Sequence, residues 1–411
     1  MAESTHHAAL ARCVDDPAAF LTGAFATQPV LRRGGGGSVG ASGYDDLLSL
    51  ADVDAQLSGA GLRRPAVRLA RDGEILPGAS FSRRARTGSV WIDDLVDPAR
   101  TFAAFADGAT VVLQSLHRWW PPLTRFCRQL EAELGHPVQV NAYLTPPGAA
   151  GFAPHHDTHD VFVLQVHGTK QWTVRDPVLD DPLERHRSDH DVAAQQPVRF
   201  EAELAPGDCL YLPRGFVHSA ASQAEASLHL TIGVLAVSRH DLLRRLVDRT
   251  AEVPELRRTL PAAYASDTDA AARVVKESIA ELITWLEQLD VDEVAADLVD
   301  RESRRRAPVL DGQLLELSRL HHLGDATRVR VRDGVRWRLD LGTGDGRLRV
   351  VLADRELDLP AAARPALDRL LDGDAHAVAD LADLVDGPSR LVLVRRLVRE
   401  GVLRTVADHG P

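Results

Sequence analysis

Lysine is almost missing from this chain. Of 48 Lys and Arg residues in 411, only Lys170 and Lys276 are lysine, and the one methionine is the first residue. That bias, with abundant Ala, Val, Leu, Asp and Gly, is what a GC-rich coding sequence produces. Most of the arginines therefore need no functional explanation, whereas each surviving lysine asks for one. Cysteine is scarce too. Cys13, Cys127 and Cys209 are scattered, which excludes a disulfide framework and a Cys-only zinc site. No apolar run reaches the roughly 18 residues of a membrane-spanning helix. The N-terminal stretch holds Glu3, Asp15 and Asp16 and lacks the basic-then-apolar order of an export signal, so a cytoplasmic location is expected. Positive charge is in deficit, at a net -11, which disfavours a general nucleic-acid binder.

What is present is ordinary for a globular protein: 45% hydrophobic and 26% charged residues. At roughly 150 residues per domain, the length predicts about two or three domains. Gly34 to Gly37, after Val30-Leu31-Arg32-Arg33, lacks the spaced glycines and following Lys-Ser/Thr of a phosphate loop and reads as a flexible loop. Pro121 to Leu134 reads as a helix, with Leu123, Phe126, Cys127, Leu130 and Leu134 at helical spacing.

From 138 to 236 the texture turns to β. Val138 to Leu144 alternates with period two and ends at the turn Thr145-Pro-Pro-Gly148. Val161–Val166 and Lys170–Val174 read as strands joined in a hairpin by His167-Gly168-Thr169, with further strands at 197–204, 208–212 and 227–236. Many short strands with Gly/Pro punctuation predict a barrel or jelly roll. Between 238 and 300 the pattern is helical, and Ile279, Leu282, Ile283, Leu286 and Leu289 form one apolar stripe. The stripe is open to two readings, intramolecular core or a dimer face, and periodicity alone slightly favours core. Residues 360–406 hold three short helical patterns and then a strand, Val402 to Val406, in the manner of a winged helix.

The sharpest local feature is Pro154-His155-His156-Asp157-Thr158-His159-Asp160 at the entrance to an apolar strand. In an extended segment residues i and i+2 point to one side, so His155 and Asp157 can present an imidazole and a carboxylate to a single point. A second histidine completes a 2-His-1-carboxylate set, which leaves positions open on Fe(II). His218 is the candidate. It ends Gly207-Asp-Cys-Leu-Tyr-Leu-Pro213-Arg-Gly215-Phe-Val-His218, whose spacing is that of the second metal motif of cupins. Gly207 and Pro213-Arg214-Gly215 are expected to fix turns that aim the next strand. His156 and His159 are read as neighbours outside the ligand set, and His186 and His190 as residues of a surface loop. His229 shares a strand face with Thr231, where lining the pocket and filling the core are equally open readings. Lys170 shares its face with Trp172 and Val174; a barrel-facing lysine is costly unless paired with an anion. The anion expected is a dicarboxylate tail, to which Asn141 and Tyr143 could add hydrogen bonds.

At these residues the chain resembles the JmjC ribosomal oxygenases of the cupin superfamily, which are Fe(II)- and 2-oxoglutarate-dependent protein hydroxylases. The resemblance rests on Asn141-Ala-Tyr-Leu-Thr-Pro-Pro-Gly148, Pro154-His-His-Asp157, Val161-Phe-Val-Leu-Gln-Val-His-Gly-Thr-Lys-Gln-Trp172 and Tyr211-Leu-Pro-Arg-Gly-Phe-Val-His218. It implies an α+β fold in three parts: a double-stranded β-helix (JmjC/cupin jelly roll) over 1–237, a helical dimerisation region over 238–305 and a winged-helix-like domain over 306–411. It further implies that His155, Asp157 and His218 hold iron and that Lys170 holds the distal carboxylate of 2-oxoglutarate. Asn141, Tyr143 and Thr231 would line the cosubstrate pocket, with O₂ as the oxidant. The implied partners are a protein or peptide substrate, a ribosomal protein foremost, and a second copy of the chain. Bacterial arginyl hydroxylases of this family carry arginine where Lys170 stands, and lysine there resembles the animal histidyl hydroxylases, so both His and Arg stand as targets. A cupin metalloenzyme that uses no 2-oxoglutarate is one alternative, and two other readings stand beside it. One is a hydroxylase of a peptide natural-product precursor. The other is a cupin/winged-helix regulator, against which residues 356–411 set ten acids and seven arginines.

Overall fold

The computed structural model describes residues 8–34, 43–59, 61–71, 73–149, 153–305, 309–341 and 346–406. Gly35 to Gly37 of the glycine run lie outside them. The chain divides into two compact units, Met1–Ala236 with Val309–Gly312, and Val237–Pro308 with Gln313–Pro411.

Fourteen strands belong to the first unit: β1 (Val30–Arg32), β2 (Val67–Arg71), β3 (Glu74–Ile75), β4 (Ser82–Thr87), β5 (Val90–Val96), β6 (Thr110–Leu113), β7 (Val138–Thr145), β8 (His155–His156), β9 (Asp160–His167), β10 (Lys170–Pro177), β11 (Val198–Leu204), β12 (Cys209–Leu212), β13 (Phe216–Ser222) and β14 (Ser227–Val234). Eight of them form one sheet in the order β1-β12-β9-β14-β7-β6-β2-β3, and β11-β10-β13-β8 form a second; β4 and β5 pair separately. Their pairings are antiparallel, which makes the two larger sheets a jelly roll.

The expected hairpin at 167–169 is absent. β9 pairs with β12 and β14 in one sheet, whereas β10 pairs with β11 and β13 in the other. Gly168, at φ +61°, turns the chain from one sheet into the other. The local residues are those of a tight turn, but β9 is buried along almost its whole length and already has two neighbours. A third partner had no free edge to occupy.

The alternation of β7 gives the sheet its two faces. Val138, Val140, Ala142 and Leu144 enter a core shared with Leu123, Phe126 and Leu130 of the helix Pro121–Leu134. Pro at the first turn of that helix and Gly135 at φ +74° just after it supply its start and stop. Between the sheets, Val161, Val163, Trp172, Val174, Leu204, Leu210, Leu212 and Phe216 fill a second core, and the open end of that layer is a cavity.

The second unit begins with helices Arg239–Asp248, Thr268–Glu287 and Val291–Arg304. None of these buries a described residue, and Ile279, Ile283 and Leu286 of the stripe are exposed at 52, 49 and 37%. Periodicity correctly marked an apolar face, but that face is not intramolecular core. The rest of the unit carries a core of its own, built from strands Arg347–Val351 and Glu356–Pro360 and helices Arg364–Leu370 and Gly387–Arg399. Two three-stranded sheets stand here; sequence reading had found only their last strand, Leu403–Val406. The arginines that make helix Gly387–Arg399 locally basic are largely engaged. Arg390 pairs with Asp325 at 2.6 Å, and Arg395 and Arg396 donate to the carbonyls of Leu323 and Asp358. Among the described residues, no helix is long and apolar enough to cross a membrane.

Candidate metal and cosubstrate site

β8 and β13 bring the two histidines together, since His155 and His218 are direct cross-strand partners with ring centroids 4.6 Å apart. Asp157 follows β8 by one residue, and its carboxylate lies 3.7 Å from His218 Nε2. One ligand atom from each of the three lies within 4.8 Å of the others, the sole such cluster among the described residues. The nitrogens on the far side are engaged: His155 Nδ1 meets the Ala153 carbonyl at 2.7 Å and His218 Nδ1 that of Phe216 at 3.1 Å. Donation from Nδ1–H to a carbonyl leaves Nε2 unprotonated and fixes the ring, as metal-ligating histidines require. Burial, then the neighbouring His155, pushes His218 down to about 4, so it is neutral. For Asp157, burial raises the carboxyl, but His218 and the surrounding histidines outweigh it and hold the group below the usual carboxylate range.

The turn ahead of β13 is anchored to the same loop. Gly207 and Gly215 adopt φ of +92° and +89°, and Gly215 N donates to the Asp157 carbonyl at 3.0 Å. Asp160, fully buried, accepts from Tyr211 Oη at 2.7 Å and Arg214 N at 2.9 Å. Of the nearby histidines, His156 is buried with Nε2 against the His186 carbonyl at 3.2 Å, and His190 Nδ1 lies 3.0 Å from the Pro154 carbonyl. Neither joins the triad cluster.

The triad opens into a cavity of about 500 Å³. Asn141, Tyr143, Lys170, Trp172, His229 and Thr231 all line it. Asn141 and Thr231 are cross-strand partners, as are Tyr143 and His229, whose rings stack with centroids 5.0 Å apart. Lys170 is 2% exposed and donates to Thr145 Oγ1 at 3.0 Å. Burial lowers its ammonium from 10.5 to about 7. Burial also raises the Tyr143 phenol. Thr145 escaped sequence reading because it was assigned to the turn, although the i, i+2 rule from Asn141 and Tyr143 points to it. Arg68, Gln114, Ser115 and Gln139 also line the cavity. Arg68 and Ser115 come from segments far from the motifs, and nothing local marks them.

A jelly roll with a 2-His-1-carboxylate set at its open end defines a cupin-type metal-site protein. Residues 115–242 match the JmjC domain, so this part of the chain is a JmjC domain. It is 30% identical over 239 residues to the bifunctional lysine-specific demethylase and histidyl-hydroxylase NO66 of Brugia malayi, covering 52% of this chain and 34% of that protein. The same protein of Dictyostelium discoideum is 28% identical over 261 residues, 59% of this chain and 50% of that one. Ribosomal oxygenase 1 of Rattus norvegicus is 37% identical over 139 residues, 33% and 23% of the two chains. This chain thus spans half or less of the length of these curated relatives. Among solved structures, ycfD of E. coli is similar with a TM-score of 0.55 at 18% identity, covering 96% of this chain and 99% of that one. That likeness concerns the fold.

Proposed function

We propose that this chain is an Fe(II)- and 2-oxoglutarate-dependent oxygenase that hydroxylates a side chain of a protein, with a ribosomal protein as substrate. One observation carries the reading. A three-sided donor set and a buried lysine with no acidic partner within ion-pair distance among the described residues share one cavity.

The residues fit the groups they would hold. Two imidazoles and one carboxylate, with Nδ1 of each ring tied to a backbone carbonyl, match a divalent iron with open positions. The ammonium of Lys170 matches the distal carboxylate of 2-oxoglutarate, and Asn141, Tyr143 and Thr231 form the wall between. Bound together, the iron and 2-oxoglutarate couple decarboxylation of the cosubstrate by O₂ to hydroxylation of a C–H bond. The protein's share is orientation: the triad and Lys170 fix both ends of the cosubstrate.

Histidine is the target better supported. Asp157 is the sole acid lining the cavity among the described residues, and Arg68 already contributes a cation to the wall. An arginine or lysine target would find no counter-charge there, whereas a neutral imidazole needs none. NO66 of Brugia malayi is named both a lysine-specific demethylase and a histidyl-hydroxylase.

The exposed stripe of helix Thr268–Glu287 supports a homodimer through residues 238–305, and the closing helices and strand of 306–411 support a winged helix. The engaged arginines of Gly387–Arg399 speak against a DNA-reading role for it. The deciding measurement is fragment mass spectrometry of ribosomal proteins from wild-type and deletion cells. A histidine that gains one oxygen atom in the wild type alone is expected; identical ribosomal proteins in both would overturn the substrate.

A further inference from the structure

The cavity can be followed rung by rung along β14. Gly233 pairs with Gln139 and Val161, Thr231 with Asn141 and Val163, and His229 with Tyr143 and Gln165. On the facing sheet the rungs are Val174 with His218, Trp172 with Ala220 and Lys170 with Ser222. The ring of His159, two residues beyond Asp157, packs against Gly233, which marks that rung as the triad end. His229 therefore stands two rungs further in, at the end held by Lys170.

That inner end gathers three side-chain nitrogens, of which one has a hydrogen-bond partner among the described residues. Lys170 Nζ reaches only Thr145 Oγ1 among the described residues. Trp172 Nε1 and His229 Nδ1 are both buried with no hydrogen-bond partner among the described residues. His229 is 4% exposed and locked in place, stacked on Tyr143 and edge-on to Trp172 at 5.6 Å. Buried polar nitrogens are rarely left unpaired in a native protein, and both of these belong to side chains that line the cavity.

We propose that His229 is a second residue holding the distal carboxylate of the cosubstrate, as a neutral N–H donor beside the Lys170 ammonium. This rests on the 2-oxoglutarate reading above and adds a positioning partner to it. Neutrality suits the role. Burial, and then the charge of Lys170, hold the imidazole well below its ordinary pKa, so one buried cation faces one carboxylate and the second donor adds no repulsion. A carboxylate has about four lone-pair sites and accepts from both at once.

The test uses the full chain loaded with Mn(II), without oxygen, and calorimetric titration of two ligands. 2-Oxoglutarate has the distal carboxylate; 2-oxobutyrate keeps the keto acid and lacks it. His229→Leu is expected to weaken 2-oxoglutarate binding about tenfold, the scale of one hydrogen bond to a charged group. It should leave 2-oxobutyrate and Mn(II) affinity unchanged and should not lower the melting temperature of the ligand-free protein. His229→Asn, which restores a donor, should recover most of the affinity. Should the leucine variant not fold, His229→Phe, which keeps the stack on Tyr143, takes its place. Equal 2-oxoglutarate affinity in variant and wild type, or equal weakening of both ligands, would overturn the role of His229. Failure of the wild type to bind 2-oxoglutarate would overturn the cosubstrate reading itself, and this proposal with it.

Discussion

Lys170 Nζ donates to Thr145 Oγ1 at 3.0 Å, and no carboxylate of the described residues lies within ion-pair distance of that ammonium. A charge buried this deeply without a counter-ion either gives up its proton or is held by an anion that enters the cavity. Lys170→Ala is therefore expected to weaken 2-oxoglutarate binding by about 100-fold or more, the scale of losing one partner of a buried ion pair. Calorimetry on Mn(II)-loaded protein reads this directly. Unchanged affinity would remove the cosubstrate anchor.

The same lysine makes binding depend on pH. In the unfolded chain it titrates at 10.5, and in the empty cavity at about 7. Between those values the folded chain binds fewer protons than the unfolded one. This group's contribution to the stability of the ligand-free protein thus rises with pH across that window and is constant above it. Ligand binding has the opposite sign. A carboxylate beside the ammonium restores the charged form, so binding takes up a proton above about pH 7 and affinity falls as pH climbs towards 10.5. His229 stays neutral throughout that range. Titrations on either side of pH 7, in buffers of different ionisation enthalpy, should show the uptake; Lys170→Ala should abolish it.

His218 carries the opposite test. It supplies Nε2 with Nδ1 already tied to Phe216, and it is neutral without help from the metal. Losing even an outer-shell partner costs roughly 10–100-fold in metal affinity, so His218→Ala should cost more than about 100-fold and abolish turnover. Retained turnover, or Mn(II) binding unchanged by electron paramagnetic resonance, would sink the triad.

The triad was legible in sequence because each part is local: an i, i+2 pair at a strand entrance, and a glycine-punctuated motif ending in His218. Lys170 stood out because composition had removed almost every other lysine. What stayed hidden depends on which strands become neighbours. Arg68 reaches the cavity through sheet order, and the Gly168 turn looked like a hairpin because its residues are those of a hairpin. Whether β9 has a free edge is settled by β12 and β14, more than 40 residues further along the chain. The helical stripe was readable as apolar, but periodicity does not say what covers it.

That stripe gives a prediction about assembly. Ile279, Ile283 and Leu286 form one exposed face of helix Thr268–Glu287. An uncovered apolar face of this kind marks an association surface. Ile283→Glu should shift the species seen by light scattering from dimer to monomer at micromolar concentration, while the cavity and its ligand affinity remain intact. A wild-type chain that is monomeric at the same concentration would refute the dimer.

Gly168 closes the turn between the two sheets at φ +61°, and a Cβ there would collide with the carbonyl oxygen of Ala226. Two costs add in Gly168→Ala: about 1–2 kcal/mol for the left-handed backbone, and about 1–3 kcal/mol for displacing packed main chain. Gly135 separates them. It also has positive φ, at +74°, but a Cβ there meets nothing within 4 Å, so Gly135→Ala should incur only the first cost. Chemical denaturation of the two variants should therefore place Gly168→Ala below Gly135→Ala by about 1–3 kcal/mol. The residue two positions on is Lys170, so Gly168→Ala should also weaken 2-oxoglutarate binding, and Gly135→Ala should not. Equal stability of the two variants would mean that the turn yields easily and does not position Lys170.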